Sequence, residues 1–480
     1  MQKVTDFLLP IVQTINTYMS DYVLIFLLVG VGLFYSIRTR FVQVRCFGEG
    51  MKKVFGNLSL RGGKQKGGLS SFQALATAIA AQVGTGNIVG ACGAILIGGP
   101  GAIFWMWIIA FFGMATIYAE AVLAQETKIV EADGSVLGGP VYYIRRAFSG
   151  KFGKFLAGFF AVAITLALGF MGSMVQSNSI SEAVHTASVE TIPMWAVGAV
   201  LALICAFIFI GGIQRIASVA EKIVPIMAVI YLVMGLVIIC MNITAIPATF
   251  AMIFKYAFKP QALLGAGFGA ALKAAISQGV KRGLFSNEAG MGSTPHAHAQ
   301  AKVEKPHDQG VVAMIGVFID TFVVLTMTAL VVISTMYTEG GLLYGLTGEA
   351  YTKATQGADA IVSKAGLMQT AVGTVFGNAT LGSILVAVCL TFFAFTTIIS
   401  WNFFGKQNVQ YLFGKKATIV YSVLAIAFIF LGSLFPNDLV WELADMFNNI
   451  MVIPNVIALF ALSAIVVGAV KSAKNKKADK

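Results

Sequence analysis

The residues best suited to bind a ligand lie between positions 80 and 90, where the sequence reads AAQVGTGNIVG. Gly84, Thr85, Gly86 and Asn87 interrupt an apolar segment that is long enough to cross a bilayer. Glycine destabilises a helix by about 1 kcal/mol relative to alanine, so the pattern predicts a helix that unwinds at its midpoint. Freed carbonyl groups can bind a cation, and freed amide groups at the start of a half-helix can bind a carboxylate. These four residues are therefore predicted to hold a carboxylate.

Small residues in membrane helices also serve as packing notches. That interpretation, or a turn, is favoured for Gly98, Gly99 and Gly101. A packing notch does not require a threonine and an asparagine in the same turn, so binding is favoured for residues 84–87.

A second apolar segment carries a similar cluster of glycines. Residues 263–283 read LLGAGFGAALKAAISQGVKRG, with Gly265, Gly267 and Gly269 near the expected middle of a span. Because unwound backbone is costly in lipid unless it lines a polar cavity, we expect the two broken segments to share one site.

The composition indicates which elements must position these residues. Hydrophobic residues make up 58% of the 480 residues and charged residues 11%, whereas soluble domains contain about 25% charged residues. Apolar runs of roughly 20 residues, each long enough to span a bilayer, recur throughout. The predicted spans are residues 20–36, 70–96, 101–125, 155–183, 194–212, 221–241, 261–290, 310–336, 379–405, 417–435 and 441–470.

Most basic residues fall on one side of the membrane when these spans are threaded through it. With residues 37–69 in the cytoplasm, 27 of the 33 lysines and arginines are cytoplasmic, five are outside and Lys273 lies within a span. This asymmetry is typical of the positive-inside rule. The asymmetry predicts an outer amino terminus and a cytoplasmic carboxyl terminus in the cell membrane, and it explains the net charge of +12 without a nucleic-acid partner. The cytoplasmic set includes Arg61, Lys64, Lys66, Lys281, Arg282 and Lys480.

The two interrupted spans are the second and the seventh, each the first helix of a group of five. Five helices per group make the groups inverted in the membrane, and paired broken helices at matching positions indicate a secondary transporter's binding site. The predicted divisions are residues 1–69 (first helix and basic cytoplasmic loop), 70–241 (first inverted repeat), 260–470 (second inverted repeat) and 471–480 (basic cytoplasmic tail).

Four stretches resemble the signatures of the alanine/glycine:cation symporter family, also called the sodium:alanine symporter family. They read AAQVGTGNIVG, GFMGSMVQSNSI, GVKRGLFSNEAGMGSTPHAHA and FAFTTIISWNFFGKQNVQYLFG, and the resemblance covers essentially the whole chain. It implies an all-α, LeuT-like fold of five plus five inverted helices with one extra amino-terminal helix. It also implies sodium-coupled import of small neutral amino acids, chiefly alanine or glycine and in some members glutamine.

Further polar residues suit a neutral amino acid. The Gln176 amide oxygen is a candidate acceptor for the ligand's ammonium group, although an interhelical hydrogen bond is the alternative. The carbonyl groups around Gly265, Gly267 and Gly269 would face the same ammonium, and Phe268 would be a wall. We expect no aspartate or glutamate near the pocket centre.

Threonine and tryptophan side chains in the ninth span complete the predicted site. Carbonyl oxygens of Ala80 and Val83 would face the hydroxyl groups of Thr396 and Thr397, forming a sodium site of hard oxygen ligands. Thr397 and Trp401 would also line the amino-acid pocket, with Trp401 limiting ligand size.

Other functional classes find less support. The sequence lacks the GxxxxGK[ST], HExxH and GxSxG patterns, so a pump driven by nucleotide or a membrane enzyme is disfavoured. The five cysteines show no CxxC spacing, and no disulfide framework, zinc site or cofactor other than the coupling sodium is expected. The expected partners are a small neutral amino acid, sodium and the bilayer, with no obligate protein partner. A sodium-coupled glutamine carrier, a proton-coupled carrier and a channel remain as alternatives.

Overall fold

The structure, a computed structural model, describes residues 2–56, 69–356 and 360–478, most of them in helices. Arg61, Lys64, Lys66 and Lys480, which entered the charge argument, lie outside the described residues.

The described chain begins with one long, continuous helical stretch. Helix α1 (Gln2–Tyr18) continues through a π-helical segment, Met19–Leu24, into α2 (Ile25–Arg38), so the first helix starts well before the predicted residue 20. Two short helices follow, α3 (Val42–Arg45) and α4 (Phe47–Phe55).

The region predicted as the first repeat contains eight helices and one antiparallel hairpin. In order these are α5 (Ser71–Gln82), α6 (Ala91–Gly98), α7 (Ala102–Thr127), β1 (Ile129–Val130), β2 (Val136–Leu137), α8 (Pro140–Ala147), α9 (Gly150–Ile164), α10 (Ser173–Ala187), α11 (Met194–Ile210) and α12 (Gly212–Met241). Two π-helical segments, Gly86–Gly90 and Thr165–Gly172, lead into α6 and α10.

The remainder contains twelve further helices among the described residues. They are α13 (Ile246–Phe258), α14 (Gln261–Leu264), α15 (Phe268–Asn287), α16 (Pro295–Ala299), α17 (Pro306–Val317), α18 (Thr326–Met336), α19 (Gly348–Thr355), α20 (Leu367–Phe376), α21 (Ala379–Phe413), α22 (Ala417–Gly432), α23 (Asn437–Ala461) and α24 (Ser463–Ala478). A 3₁₀ turn, Ile243–Ala245, precedes α13, and a π-helical segment, Phe318–Leu325, joins α17 to α18.

Among the described residues, seven helical stretches are long and apolar enough to cross a membrane, and an eighth is the bent pair Ser71–Gln82 and Gly86–Gly98. The expected count of eleven stays a prediction. Two of the other predicted spans, 194–212 and 417–435, correspond to the shorter apolar helices Met194–Ile210 and Ala417–Gly432.

The start and end of α5 follow from its sequence. The Ser70 hydroxyl accepts a hydrogen bond from the Gln73 amide, and the Gln73 side chain accepts one from the Ser70 amide, a capping box that fixes the first turn. Val83 leaves the helical conformation with ψ of 87°, and the axis bends by 46° before the helix resumes at Gly86. The predicted break at mid-span is confirmed.

The second break lies elsewhere than expected. Gly265 and Gly267 precede α15 instead of interrupting it, and α15 runs unbroken to Asn287. The chain then unwinds over residues 288–294, where Glu288 has φ of +57° and Gly290 and Gly292 have φ of +90° and +81°. Glycine reaches positive φ without a steric penalty, which suits these last two positions.

Two residues of the predicted cytoplasmic set lie near the end of α15. Lys281 and Arg282 both pair with Asp445 of α23, at 2.9 and 3.0 Å. These side chains are largely buried, so the ion pairs fasten α15 to α23 within the bundle.

Glycines also permit close packing around the bundle. Gly99 has φ of +74°, and a Cβ on Gly101 would lie 2.1 Å from the Tyr256 carbonyl carbon of α13. The interpretation of these two as turn and packing residues is confirmed. Contacts also join α21 to α5 and to α10, which places α21 beside the first break.

Candidate functional site

The first break faces the end of α15, where the second unwound segment begins. The Gln82 side-chain amide donates to the Asn287 carbonyl oxygen at 2.8 Å. A Cβ on Gly86 would lie 3.0 Å from the Ser286 Cα. All residues in 74–96 and 282–301 are buried, so both breaks lie in the protein interior.

Three of the predicted site residues meet at Gly84. A Cβ there would lie 2.5 Å from the Thr397 hydroxyl oxygen and 3.1 Å from the Gln176 Oε1. The structure thus brings α5, α10 and α21 together at the first break, and only glycine permits this approach.

Gln176 is oriented differently from our expectation. Its Oε1 accepts a hydrogen bond from the Thr85 amide at 3.1 Å, so this oxygen is engaged by backbone. Among the described residues, neither the Gln176 Nε2 nor the Thr85 hydroxyl has a hydrogen-bond partner. The side-chain amide is therefore available as a donor, which suits a carboxylate and not an ammonium group.

A buried carboxylate adjoins the first break. Asn87 accepts from the Gly84 amide at 3.0 Å and donates to Asp320 Oδ1 at 2.6 Å, while the Ser286 hydroxyl donates to Asp320 Oδ2 at 2.9 Å. The expectation of no acidic residue near the pocket centre was wrong. The sequence did contain a signal, because an aspartate within the apolar run FIDTF marks a functional position by default.

The two neighbouring threonines of α21 point in different directions. The Thr397 hydroxyl lies 2.9 Å from the Ala80 carbonyl oxygen and 3.5 Å from that of Val83. Both hydroxyl groups also contact carbonyl oxygens of α21, and the Thr396 hydroxyl lies 3.6 Å from the Met227 sulfur. The structure therefore brings Ala80, Val83 and Thr397 together and directs Thr396 toward α12.

Trp401 lies deep in the bundle beside the second break. Its indole N–H donates to Glu288 Oε1 at 2.6 Å, and its ring packs edge-on against Phe285 with centroids 5.8 Å apart. A Cβ on Gly172 would lie 2.5 Å from the ring. Trp401 thus fills the space between its own helix α21, the π-helical segment Thr165–Gly172 and the unwound segment that begins at Glu288.

The residues expected to form the other half of the pocket lie away from the breaks. Gly265, Gly267 and Gly269 are exposed at the start of α15, and Phe268 is 55% exposed. Lys273 lies on the same helix, where its ammonium group sits 4.7 Å from the Tyr22 ring centroid. Glycine-rich helix starts and mid-helix breaks look alike in sequence, and that ambiguity caused the misplacement.

A second buried glutamate supports the unwound segment. Glu120 of α7 accepts hydrogen bonds from the amides of Gly290 and Gly292 at 3.0 and 2.9 Å and from the Asn455 side chain at 2.7 Å. These bonds replace helical partners that the unwound backbone lacks, as buried amides require.

A cavity of about 340 Å³ lies between the hairpin and the end of α21, lined in part by Gln300 and Phe403. At its rim, the Ser135 hydroxyl and amide and then the Lys415 ammonium hold the pKa of Asp133 well below its usual range. Asp133 is thus a fixed negative charge at the rim of this cavity, 3.0 Å from the Lys415 ammonium group.

Known proteins resemble this chain over almost its whole length. A model of the sodium:alanine symporter family matches residues 5–480. The sodium/alanine symporter AgcS of Methanococcus maripaludis is 40% identical over 468 residues, covering 96% of each chain. The probable sodium/glutamine symporter GlnT of Bacillus subtilis is 37% identical over 486 residues, covering 100% of this chain and 93% of that protein.

A solved structure supports the architecture. The crystal structure of MhsT in complex with L-phenylalanine superposes with a TM-score of 0.57 at 12% identity, covering 85% of this chain and 99% of that one. The likeness shows a LeuT-like fold, as the resemblance implied.

Proposed function

This chain belongs to the sodium:alanine symporter family, and from that premise we propose that it imports alanine and other small neutral amino acids together with sodium. It is a multi-pass membrane protein and a secondary transporter, not an enzyme. The observation that carries the proposal is the first break, where Gly84 meets Thr397 and Gln176 and Gly86 meets the end of α15 just before the second break. Such a junction offers both backbone carbonyl oxygens and amide donors to a ligand.

The amino acid's carboxylate would bind at the first break. Residues 84–87 lead into the second half-helix, whose dipole favours negative charge at this end. The Thr85 hydroxyl and Gln176 Nε2, both buried and unpartnered among the described residues, would add donors. Ligand binding would thereby satisfy polar groups that are costly to leave buried without partners.

Sodium would bind to the oxygens of Ala80, Val83 and Thr397. All three residues are buried, and the Thr397 hydroxyl oxygen lies 2.9 and 3.5 Å from the two carbonyl oxygens. Carbonyl and hydroxyl oxygens suit a hard cation. The ion would hold α5 against α21 and so stabilise the break that the amino acid needs. Thr396 takes no part in this proposal, because its hydroxyl faces Met227.

A proton is the second candidate for the coupling ion. Asp320 is fully buried and bonded to Asn87 and Ser286, and titratable carboxylates in membrane interiors are typical of proton relays. Sodium remains the first candidate because Asp320 already has donors for both oxygens.

Uptake into proteoliposomes tests the function. We expect labelled alanine to accumulate against its gradient when sodium is higher outside, with glycine competing strongly and glutamine more weakly. A proton gradient in sodium-free buffer should drive little uptake. Equal uptake with the proton gradient would reject sodium coupling, and downhill flux without any ion dependence would indicate a channel.

Trp401→Ala should relax selectivity toward larger neutral amino acids such as glutamine. Pocket walls discriminate by roughly 1–3 kcal/mol per methylene, so the ratio of glutamine to alanine uptake should rise by about tenfold or more. Trp401→Phe keeps most of the volume but loses the hydrogen bond to Glu288, which makes it the matched control. Loss of alanine uptake in Trp401→Ala with no gain for larger substrates would mean that Trp401 is structural.

We also propose that the protein resides in the plasma membrane with its amino terminus outside and its carboxyl terminus in the cytoplasm. The proposal is supported by the basic residues between positions 37 and 56, among them Arg38, Arg45 and Lys53. The polypeptide would transport as a single chain, without an obligate protein partner.

A further inference from the structure

A cluster of potential metal ligands lies far from the transport site, where α4 meets the first turn of α17. Ligand atoms of Cys46, Glu49 and His307 all lie within 4.8 Å of one another. The His307 Nε2 is 3.5 Å from Glu49 Oε1. Tetrahedral zinc sites hold nitrogen, oxygen and sulfur ligands at about 2.0–2.3 Å from the metal, so small side-chain movements would bring these atoms onto one ion.

The histidine is oriented as metal-binding histidines are. Its Nδ1 lies 2.7 Å from the Tyr118 hydroxyl of α7, while its Nε2 has no hydrogen-bond partner among the described residues. A metal-bound imidazole commonly fixes its second nitrogen by a hydrogen bond of this kind. With the proton on Nδ1, the Nε2 lone pair faces the Glu49 carboxylate, and a cation between them removes the repulsion.

The surroundings also favour a divalent cation. A Cys46 thiolate and the Glu49 carboxylate would together balance its two charges. The neighbouring cations are already engaged, because Lys53 pairs with Asp308 at 3.1 Å and Arg45 donates to the Thr39 and Arg40 carbonyl oxygens. His307 is buried, whereas Glu49 is 21% exposed, which leaves a path for an ion.

We propose that Cys46, Glu49 and His307 form a zinc-binding site that fastens α4 to α17. The thiolate selects zinc over magnesium or calcium, and three protein ligands leave the fourth position for water. Helix α4 already lies tightly on α17, since a Cβ on Gly50 would be 2.7 Å from the Val311 carbonyl oxygen. The ion would therefore stabilise an existing contact and should raise the melting temperature.

Zinc binding to the purified full-length protein tests the proposal. Bound metal is first removed by chelation and dialysis, and zinc is then added. We expect the protein to bind about one zinc ion per chain and its melting temperature to rise. Cys46→Ser and Glu49→Gln should each abolish or strongly weaken binding, and Tyr118→Phe should weaken it by roughly 10- to 100-fold. Cobalt should give a thiolate charge-transfer absorption band that Cys46→Ser removes.

Cys240→Ser is the matched control, because Cys240 is an exposed cysteine at the end of α12 and its loss should leave zinc binding unchanged. Retained alanine uptake shows that Cys46→Ser and Glu49→Gln fold. Equal zinc binding in the wild type and both folded variants would overturn the site, as would no stoichiometric binding to the wild type.

Discussion

Gly86→Val is expected to abolish alanine binding, and Gly86→Ala to weaken it by roughly 10- to 100-fold. A Cβ on Gly86 would lie 3.0 Å from the Ser286 Cα and 3.2 Å from Phe285 Cδ1. The first of these neighbours is backbone of α15, so the first break and the end of α15 must separate. Overpacking of this kind costs about 1–3 kcal/mol, and each 1.4 kcal/mol corresponds to about a tenfold change in affinity.

The measurement is alanine binding to purified protein, with uptake as a second readout. Gly90→Ala provides the matched control, because Gly90 lies four residues further along the same segment and its nearest neighbours would be 3.8 Å from the new Cβ. We expect Gly90→Ala to bind alanine normally. Unchanged alanine affinity in a folded Gly86→Val protein would exclude the first break from the binding site.

Thr397→Val should reduce sodium affinity by roughly 10- to 100-fold. The substitution keeps the volume and removes the hydroxyl that lies 2.9 Å from the Ala80 carbonyl oxygen. Hydrogen-bonding interactions with charged groups contribute about 1.5–3 kcal/mol, which sets this range. The concentration of sodium needed for half-maximal alanine uptake measures the effect.

Two variants control for this result. Thr397→Ser restores a hydroxyl and should recover most of the sodium affinity. Thr396→Val removes the neighbouring hydroxyl, which faces Met227, and should behave almost as wild type, while the double variant should match Thr397→Val. A larger sodium defect in Thr396→Val than in Thr397→Val would place the ion on the other face of α21.

Sodium and alanine affinities should change together in these variants. Because linkage is reciprocal, the factor by which sodium raises alanine affinity equals the factor by which alanine raises sodium affinity. At a fixed, subsaturating sodium concentration, Thr397→Val should therefore lower alanine affinity. Raising the sodium concentration should restore that affinity. Gly86→Ala, by contrast, should show weak alanine binding even at saturating sodium.

The sequence alone determined the class of protein, the first break and the family. Apolar runs of membrane-spanning length are local properties that need no tertiary information. The break at residues 83–85 was also readable, because Gly84, Gly86 and Asn87 follow one another closely within a span. The motif around Trp401 carried the family resemblance directly.

The tertiary structure decided which of the candidate residues meet. Adjacent residues on a helix point about 100° apart, so only one of Thr396 and Thr397 can face Ala80, and the packing of α21 selects Thr397. The second break at residues 288–294 depends on hydrogen bonds from Glu120, which is distant in sequence. A hydropathy profile contains no information about such long-range hydrogen bonds. The glycines before α15 gave the stronger local signal for a break, and the second break was therefore predicted there.

The neighbours of the acidic and metal-ligating side chains were the features that depended most on the tertiary structure. Asp320 was visible as an aspartate in an apolar span, but its position beside Asn87 follows from the packing of α17 and the π-helical segment Phe318–Leu325 against the first break. Cys46 and Glu49 lie one turn apart, yet their third neighbour His307 comes from a helix much later in the chain. Contacts between residues far apart in sequence are set by how the helices pack, and the spacing of residue types along one chain does not encode them.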